Sequence, residues 1–129
     1  YAGFDLAKTP IEYCERNYSK KGAQFYATGL PSKMADFNVM SGTFNYAPDL
    51  TVNAWRNYLF SSLNSIWNLT RCSMIFNLMI SNEDKITSQS ISYIRQETIL
   101  NFCQSNFGAT SKYFSSKLPR EITLCISKI

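Results

Sequence analysis

The chain has 129 residues, 45% hydrophobic and 15% aromatic, which suits one domain with a real core and is too apolar for a disordered chain. Its net charge of +4 is dispersed, with only Lys20 and Lys21 adjacent, so the basic patch of a nucleic-acid binder is not indicated. There is no histidine, which excludes a Ser-His-Asp triad, a Cys-His pair and a His-ligated zinc site within the chain.

Tyr1 to Phe4 is short, aromatic and strand-like, and it ends at Asp5. Thr9-Pro10-Ile11-Glu12 reads as a helix start: Thr9 as cap, Pro10 at the first helical position and Glu12 completing a capping box. Ile11, Cys14 and Tyr18 share one helical face, and Gly22 is a stop after Lys20 and Lys21. Gln24 to Ala27 is a second strand, broken by Thr28-Gly29-Leu30-Pro31. Asp36 to Ser41 is a third, followed by a loop from Gly42 through Asp49. Val52, Trp55, Leu59, Leu63, Ile66 and Trp67 make the strongest helical stripe. Cys72 to Leu78 is nearly continuous in apolar residues, the pattern of a strand buried on both faces.

Asn82 to Ser90 reads as a polar loop and Gln96 to Phe107 as a helix ended by Gly108. Thr110 to Ser116 and Glu121 to Ile126 are strands separated by too few residues for a crossover helix, so they should pair antiparallel. No internal repeat or linker interrupts this order. Its alternation of strand and helix predicts an α/β fold with a mostly parallel, helix-covered sheet ending in an antiparallel hairpin. The four cysteines, Cys14, Cys72, Cys103 and Cys125, are widely spaced in apolar neighbourhoods. They read as buried free thiols in a reducing, cytoplasmic setting. No apolar run is long enough for a membrane span, and the scattered acids do not suggest a metal site.

In open parallel sheets ligands bind at the C-terminal strand ends, here Asp5, Gly29, Ser41-Gly42 and Asn77. Asp5 offers a carboxylate to a ribose diol, or is a surface turn residue. At Gly29 and Leu30, glycine permits close backbone approach to a flat ring and leucine can cover its face; a plain turn would use the same residues. Ser41 to Asn45 offers small residues and exposed amides as a polar floor, or is an ordinary loop.

The ordered set Tyr1-Ala2-Gly3-Phe4-Asp5, Phe25 to Leu30, Asp36 to Asn45 and Phe76-Asn77-Leu78 resembles class I S-adenosylmethionine-dependent methyltransferases. The likeness is greatest to small bacterial members with a Ser-Gly-x-Phe-Asn segment after the fourth strand. The terminal strand pair fits the same family. The resemblance implies a Rossmann-like methyltransferase sheet with S-adenosylmethionine as cofactor. Asp5 would take its ribose hydroxyls, Leu6 would lie near the adenine, and Gly29 and Leu30 would border it. Ser41 and Gly42 would lie under the methionine portion. Thr43, Phe44 and Asn45 would line the way to a small-molecule acceptor.

The chain departs from the family in two places. Gly29 stands where an acid is usual. Tyr1 to Asp5 corresponds to the family's second strand, which implies that the sheet lacks its first strand and glycine-rich loop, and that the chain alone is a fragment that binds cofactor poorly. Methyl transfer from a sulfonium needs positioning and electrostatics more than a dedicated base, so no catalytic residue is assigned. A nicotinamide-dependent oxidoreductase and a non-catalytic binding subunit remain as alternatives. The acceptor and the oligomeric state are not readable.

Overall fold

The computed structural model describes residues 1–108, 110–115 and 117–128, with the backbone alone at 110, 112, 114 and 115. The chain forms two compact units, Tyr1–Lys33 and Met34–Ile129.

In the first unit, β1 (Ala2–Phe4) and β2 (Gln24–Tyr26) pair in parallel, with Gly3 opposite Phe25. A Cβ on Gly3 would lie 2.9 Å from the Phe25 ring, so glycine is what lets that ring lie against the strand. Phe4 and Tyr26 stack at 5.2 Å, and Tyr1 and Tyr18 tilt against Phe25. The connecting helix α1 (Lys8–Tyr18) buries Ile11. It starts earlier than the Thr9 capping motif predicts. Ala7 is the N-cap, no side chain caps the helix, and Pro10 sits in the first turn, where a missing N–H costs nothing. A 3₁₀ turn over Ser19–Lys21 then ends at Gly22, whose φ of 79° is the left-handed stop expected of a glycine there.

The second unit is built on β3 (Ala35–Met40), α2 (Val52–Asn68), β4 (Thr70–Ser81), β5 (Lys85–Ile86), β6 (Ser92–Arg95), α3 (Gln96–Phe107), β7 (Thr110–Ser115) and β8 (Leu118–Ser127). Strand β4 is the hub. It pairs in parallel with β3 and, at Ile80–Ser81, with β6. On β8 it pairs antiparallel from Ser73 to Met79. Strand β8 in turn pairs antiparallel with β7, so the last strand lies between β4 and β7. Strands β3, β4, β6 and β7 therefore run one way, and β5 and β8 the other. The predicted mostly parallel sheet with a C-terminal antiparallel pair is the observed one. Ser116, placed at the end of a predicted strand, lies outside the described residues.

The core lies on one face of this sheet. Met74, Phe76 and Leu78 of β4 and Ile122, Leu124 and Ile126 of β8 are at most 1% exposed. The helix stripe behaves as its spacing requires: Trp55, Leu59, Leu63 and Ile66 are buried. Thr51 caps α2 by accepting from Ala54 N–H, and Phe60 of α2 stacks on Phe102 of α3 at 3.9 Å. Fully burying a large apolar side chain contributes about 1.5–3 kcal/mol, so these residues are the main source of the unit's cohesion.

Three expectations are corrected. β4 is buried on one face only, because Ile75, Asn77 and Met79 on its other face are half-exposed. The presumed loop after it contains β5, and with β6 this forms an antiparallel pair. These strands are too short to give a run, although the buried Ser92 and Ile94 have the period of a strand. Finally, of the four free cysteines Cys103 is buried, Cys14 and Cys125 are intermediate and Cys72 is exposed. Burial pushes the Cys103 thiol up to about 12.

Candidate functional site

The predicted site residues fall into two sets, one in each unit. Asp5 follows β1, and its backbone N–H donates to Tyr26 O across the strand pair. Its side chain folds back so that Oδ1 accepts from Ala7 N–H at 2.8 Å, which orders the entry to α1. Oδ2 has no partner among the described residues, and the carboxylate is exposed. Leu6 is 72% exposed, yet one side of it rests on Gly29, where a Cβ would lie 3.2 Å from the leucine Cδ2. Glycine at 29 thus makes room for Leu6. The two residues form a small apolar ledge beside the Asp5 carboxylate, and Leu30, half-buried, follows it.

In the second unit the site residues form a tightly tied turn after β3. Gly42 has φ of +70° with open space around its Cβ position, so the backbone conformation, not crowding, demands glycine. Asn45 N–H closes the turn onto Gly42 O. Gly42 N–H donates to Oδ1 of Asn77 on β4 at 2.6 Å. Both backbone polar groups of Gly42 are thus used within the protein, which corrects the idea of a floor of exposed amides at this residue. Ser41 and Thr43 are exposed.

Phe44 turns inward. It is 2% exposed, meets Tyr58 edge-on at 6.2 Å, and its carbonyl accepts from both Trp55 Nε1 and Ser92 Oγ. Asn45 stays half-buried at the rim. Its carbonyl accepts from Ser92 N–H, and its Oδ1 accepts from Met79 N–H at 3.2 Å, just beyond the last β3–β4 pair, Met40 with Phe76. The side chain therefore takes over as acceptor where the strand has ended.

Sequence reasoning marked Asn77 as a strand end and gave it no role; β4 instead runs on to Ser81, and Asn77 sits within it. It missed Tyr46, 63% exposed beside Asn45, and Asp84 altogether. The Asp84 carboxylate accepts from Arg56 Nη1 at 2.8 Å and from the N-cap amide of α3, Arg95 N–H, at 2.7 Å. It thereby locks α2 to the start of α3. The signal available for it was an acid upstream of a helix that lacks its own capping side chain. Among the described residues, no three Cys, Asp or Glu side chains gather as a metal site, and no helix is long and apolar enough to cross a membrane.

No family model and no curated protein matches the chain. Solved structures do. Magnesium protoporphyrin IX methyltransferase from Synechocystis, with bound SAH, aligns at a TM-score of 0.69 and 9% identity over 99% of this chain and 63% of its own. A SAM-dependent methyltransferase from Leishmania major aligns at 0.70 and 12% over 98% of this chain and 54% of its own. The DhpI–SAH complex aligns at 0.63 and 9% over 96% and 63%. The chain spans less than two thirds of the length of each. At these identities the likeness is one of fold, and the fold is that of the S-adenosylmethionine-dependent methyltransferases.

Proposed function

We propose that the chain belongs to an enzyme that transfers a methyl group from S-adenosylmethionine to a small-molecule acceptor. The observation that carries this reading is the fold, in which β8 lies antiparallel between β4 and β7 and which aligns with solved methyltransferases at TM-scores up to 0.70. The residues present suit the cofactor. Asp5 has a carboxylate oxygen with no partner among the described residues, suited to a ribose hydroxyl, and Leu6 on Gly29 is an apolar ledge suited to adenine. The cofactor, when bound, supplies a methyl group already activated on a sulfonium. The chain's own residues then have to bind, orient and exclude water, and rate enhancement of this kind comes from positioning and local electrostatics. No side chain is assigned as a base.

Calorimetric titration with S-adenosylmethionine tests the reading. Hydrogen bonds to a charged group are worth roughly 1.5–3 kcal/mol, so Asp5→Ala should weaken binding about tenfold to somewhat over a hundredfold while leaving the circular dichroism unchanged. Asp5→Asn should fall between, since an amide oxygen still accepts. The titration uses the complete gene product: equal affinity for folded wild type and Asp5→Ala would remove Asp5 from the cofactor, and no binding by that wild type would remove the reading itself.

A further inference from the structure

A backbone N–H can be satisfied only by an acceptor, so a carboxamide that bonds to one must present its oxygen and turn its NH₂ elsewhere. This fixes the orientation of two side chains, Asn77 in the second half of β4 and Asn45 in the turn after β3. Asn77 gives its Oδ1 to Gly42 N–H, and Asn45 gives its Oδ1 to Met79 N–H. Neither Nδ2 has an acceptor among the described residues. Both asparagines are half-buried, and neither Nδ2 is sealed from solvent, since Ser62 Oγ is the buried, unpartnered side-chain atom among the described residues. Two anchored amide donors, one on β4 and one in the turn bonded to it, are thus held short of full burial.

The surroundings narrow what they can hold. Residues 41–48 and 76–82 contain no Asp, Glu, Lys or Arg. Glu121 of β8 stands opposite Met79, so the selection rests on the amide donors themselves: an amine, itself a donor, finds no acceptor on either Nδ2. An sp² oxygen accepts from such donors and needs no counter-charge. Tyr46, exposed and next to Asn45, adds an aromatic surface, and its backbone is fixed by a bridge to Ile91.

We propose that Asn45 and Asn77 supply amide donors to a carbonyl or carboxylate oxygen of the methyl acceptor, which makes the acceptor an oxygen-bearing, planar small molecule. This rests on the methyl-transfer reading for the word acceptor, while the oxygen subsite stands on the geometry of the two amides. Asn77 has two separable duties: Oδ1 shapes the Gly42 turn, and Nδ2 meets the ligand.

The test uses the whole chain, labelled with ¹⁵N, and three probes of matched shape: benzamide, benzoate and benzylamine. Benzamide and benzoate should shift the side-chain NH₂ signals of Asn45 and Asn77, and benzylamine should leave them in place. Asn77→Asp keeps an oxygen for Gly42 N–H and loses the Nδ2 donor. It should retain the hydrogen-exchange protection of the Gly42 amide and lose about tenfold in benzamide affinity, the effect of one hydrogen bond. A variant without any amide or oxygen, Asn77→Ala, should lose both. Unshifted NH₂ signals with benzamide and benzoate, equal shifts with benzylamine, or undiminished benzamide binding by Asn77→Asp would each overturn the subsite. A parallel titration with S-adenosylhomocysteine reads the methyl-transfer assignment separately. Run on the complete gene product, that titration removes the assignment if Asp5, Gly29, Ser41 and Gly42 show no shift, and with it the identification of the oxygen as the acceptor's, whatever benzamide does.

Discussion

The Phe44 carbonyl offers a sharp energetic test, because two donors converge on it from different elements. Trp55 Nε1 of α2 lies 2.9 Å away and Ser92 Oγ of β6 lies 2.7 Å away, in a region where Trp55 is 2% and Ser92 1% exposed. Ser92→Ala removes one bond and leaves the carbonyl with the other, at a cost of about 1 kcal/mol. Trp55→Phe removes the other bond and part of a buried ring, for about 2–3 kcal/mol in all. With both changes the carbonyl is buried without a partner, and that desolvation penalty adds roughly 1–3 kcal/mol beyond the two single costs. The double variant should therefore exceed the sum of the singles by about 1 kcal/mol or more, equivalent to a few degrees in Tm. Urea unfolding followed by far-ultraviolet circular dichroism measures this without relying on the tryptophan signal. Additivity within about 0.5 kcal/mol would mean the two donors do not share one oxygen, and the account of how this loop is anchored would be wrong.

Two further outcomes follow from side chains outside the site. Asp84→Ala removes the bonds to Arg56 and to the α3 N-cap amide and should cost about 2–3 kcal/mol, with Asp84→Asn losing less because one acceptor remains; urea midpoints within experimental error of wild type for the alanine variant would contradict the clamp. Cys103 should resist a thiol reagent in the native protein while Cys72, exposed, reacts. Because the folded thiol titrates near 12 and the unfolded one near 9.0, the unfolded state ionises first, so stability should fall by about 1.4 kcal/mol per unit as pH rises from 9.0 toward 12. Cys103→Ala should abolish that slope, and an unchanged slope would assign it to other groups.

What could be read from the chain follows from how each signal arises. The stripe from Trp55 to Ile66 repeats over several turns, and the segment from Gln96 to Phe107 ends on a glycine, so both helices are found at their predicted bounds within a residue. The antiparallel closing pair followed from loop length alone. Short elements carry too few residues for a period to emerge, which hid β5 and β6. The helix start at Lys8 escaped because its entry is ordered by Asp5 bonding to Ala7 N–H, while the Thr9-Pro10 motif suggests a later one. The site was legible as a set of strand ends and not as a set of bonds. Composition cannot show that the Gly42 amide is already taken by Asn77, that Phe44 faces inward, or that Gly29 makes space for Leu6.

The pleat of β4 links the core to the proposed oxygen subsite. Successive side chains alternate between faces, so Phe76 and Leu78 point into the core while Asn77 between them points the other way. A polar residue is tolerated at that position because it is half-buried and its oxygen is bonded to backbone. Slipping the register by one residue would bury Asn77 and expose Phe76 and Leu78, so the same burial that stabilises the sheet also holds the amide at the rim. The turn that carries Thr43 and Asn45 is likewise bonded to three separate elements: to β4 through Asn77 and Met79, to α2 through Trp55, and to β6 through Ser92. Its conformational entropy is lost when the protein folds and not when a ligand arrives. A ligand meeting Nδ2 donors already oriented in this way forfeits little ordering free energy, which is how neutral hydrogen bonds can hold a small acceptor.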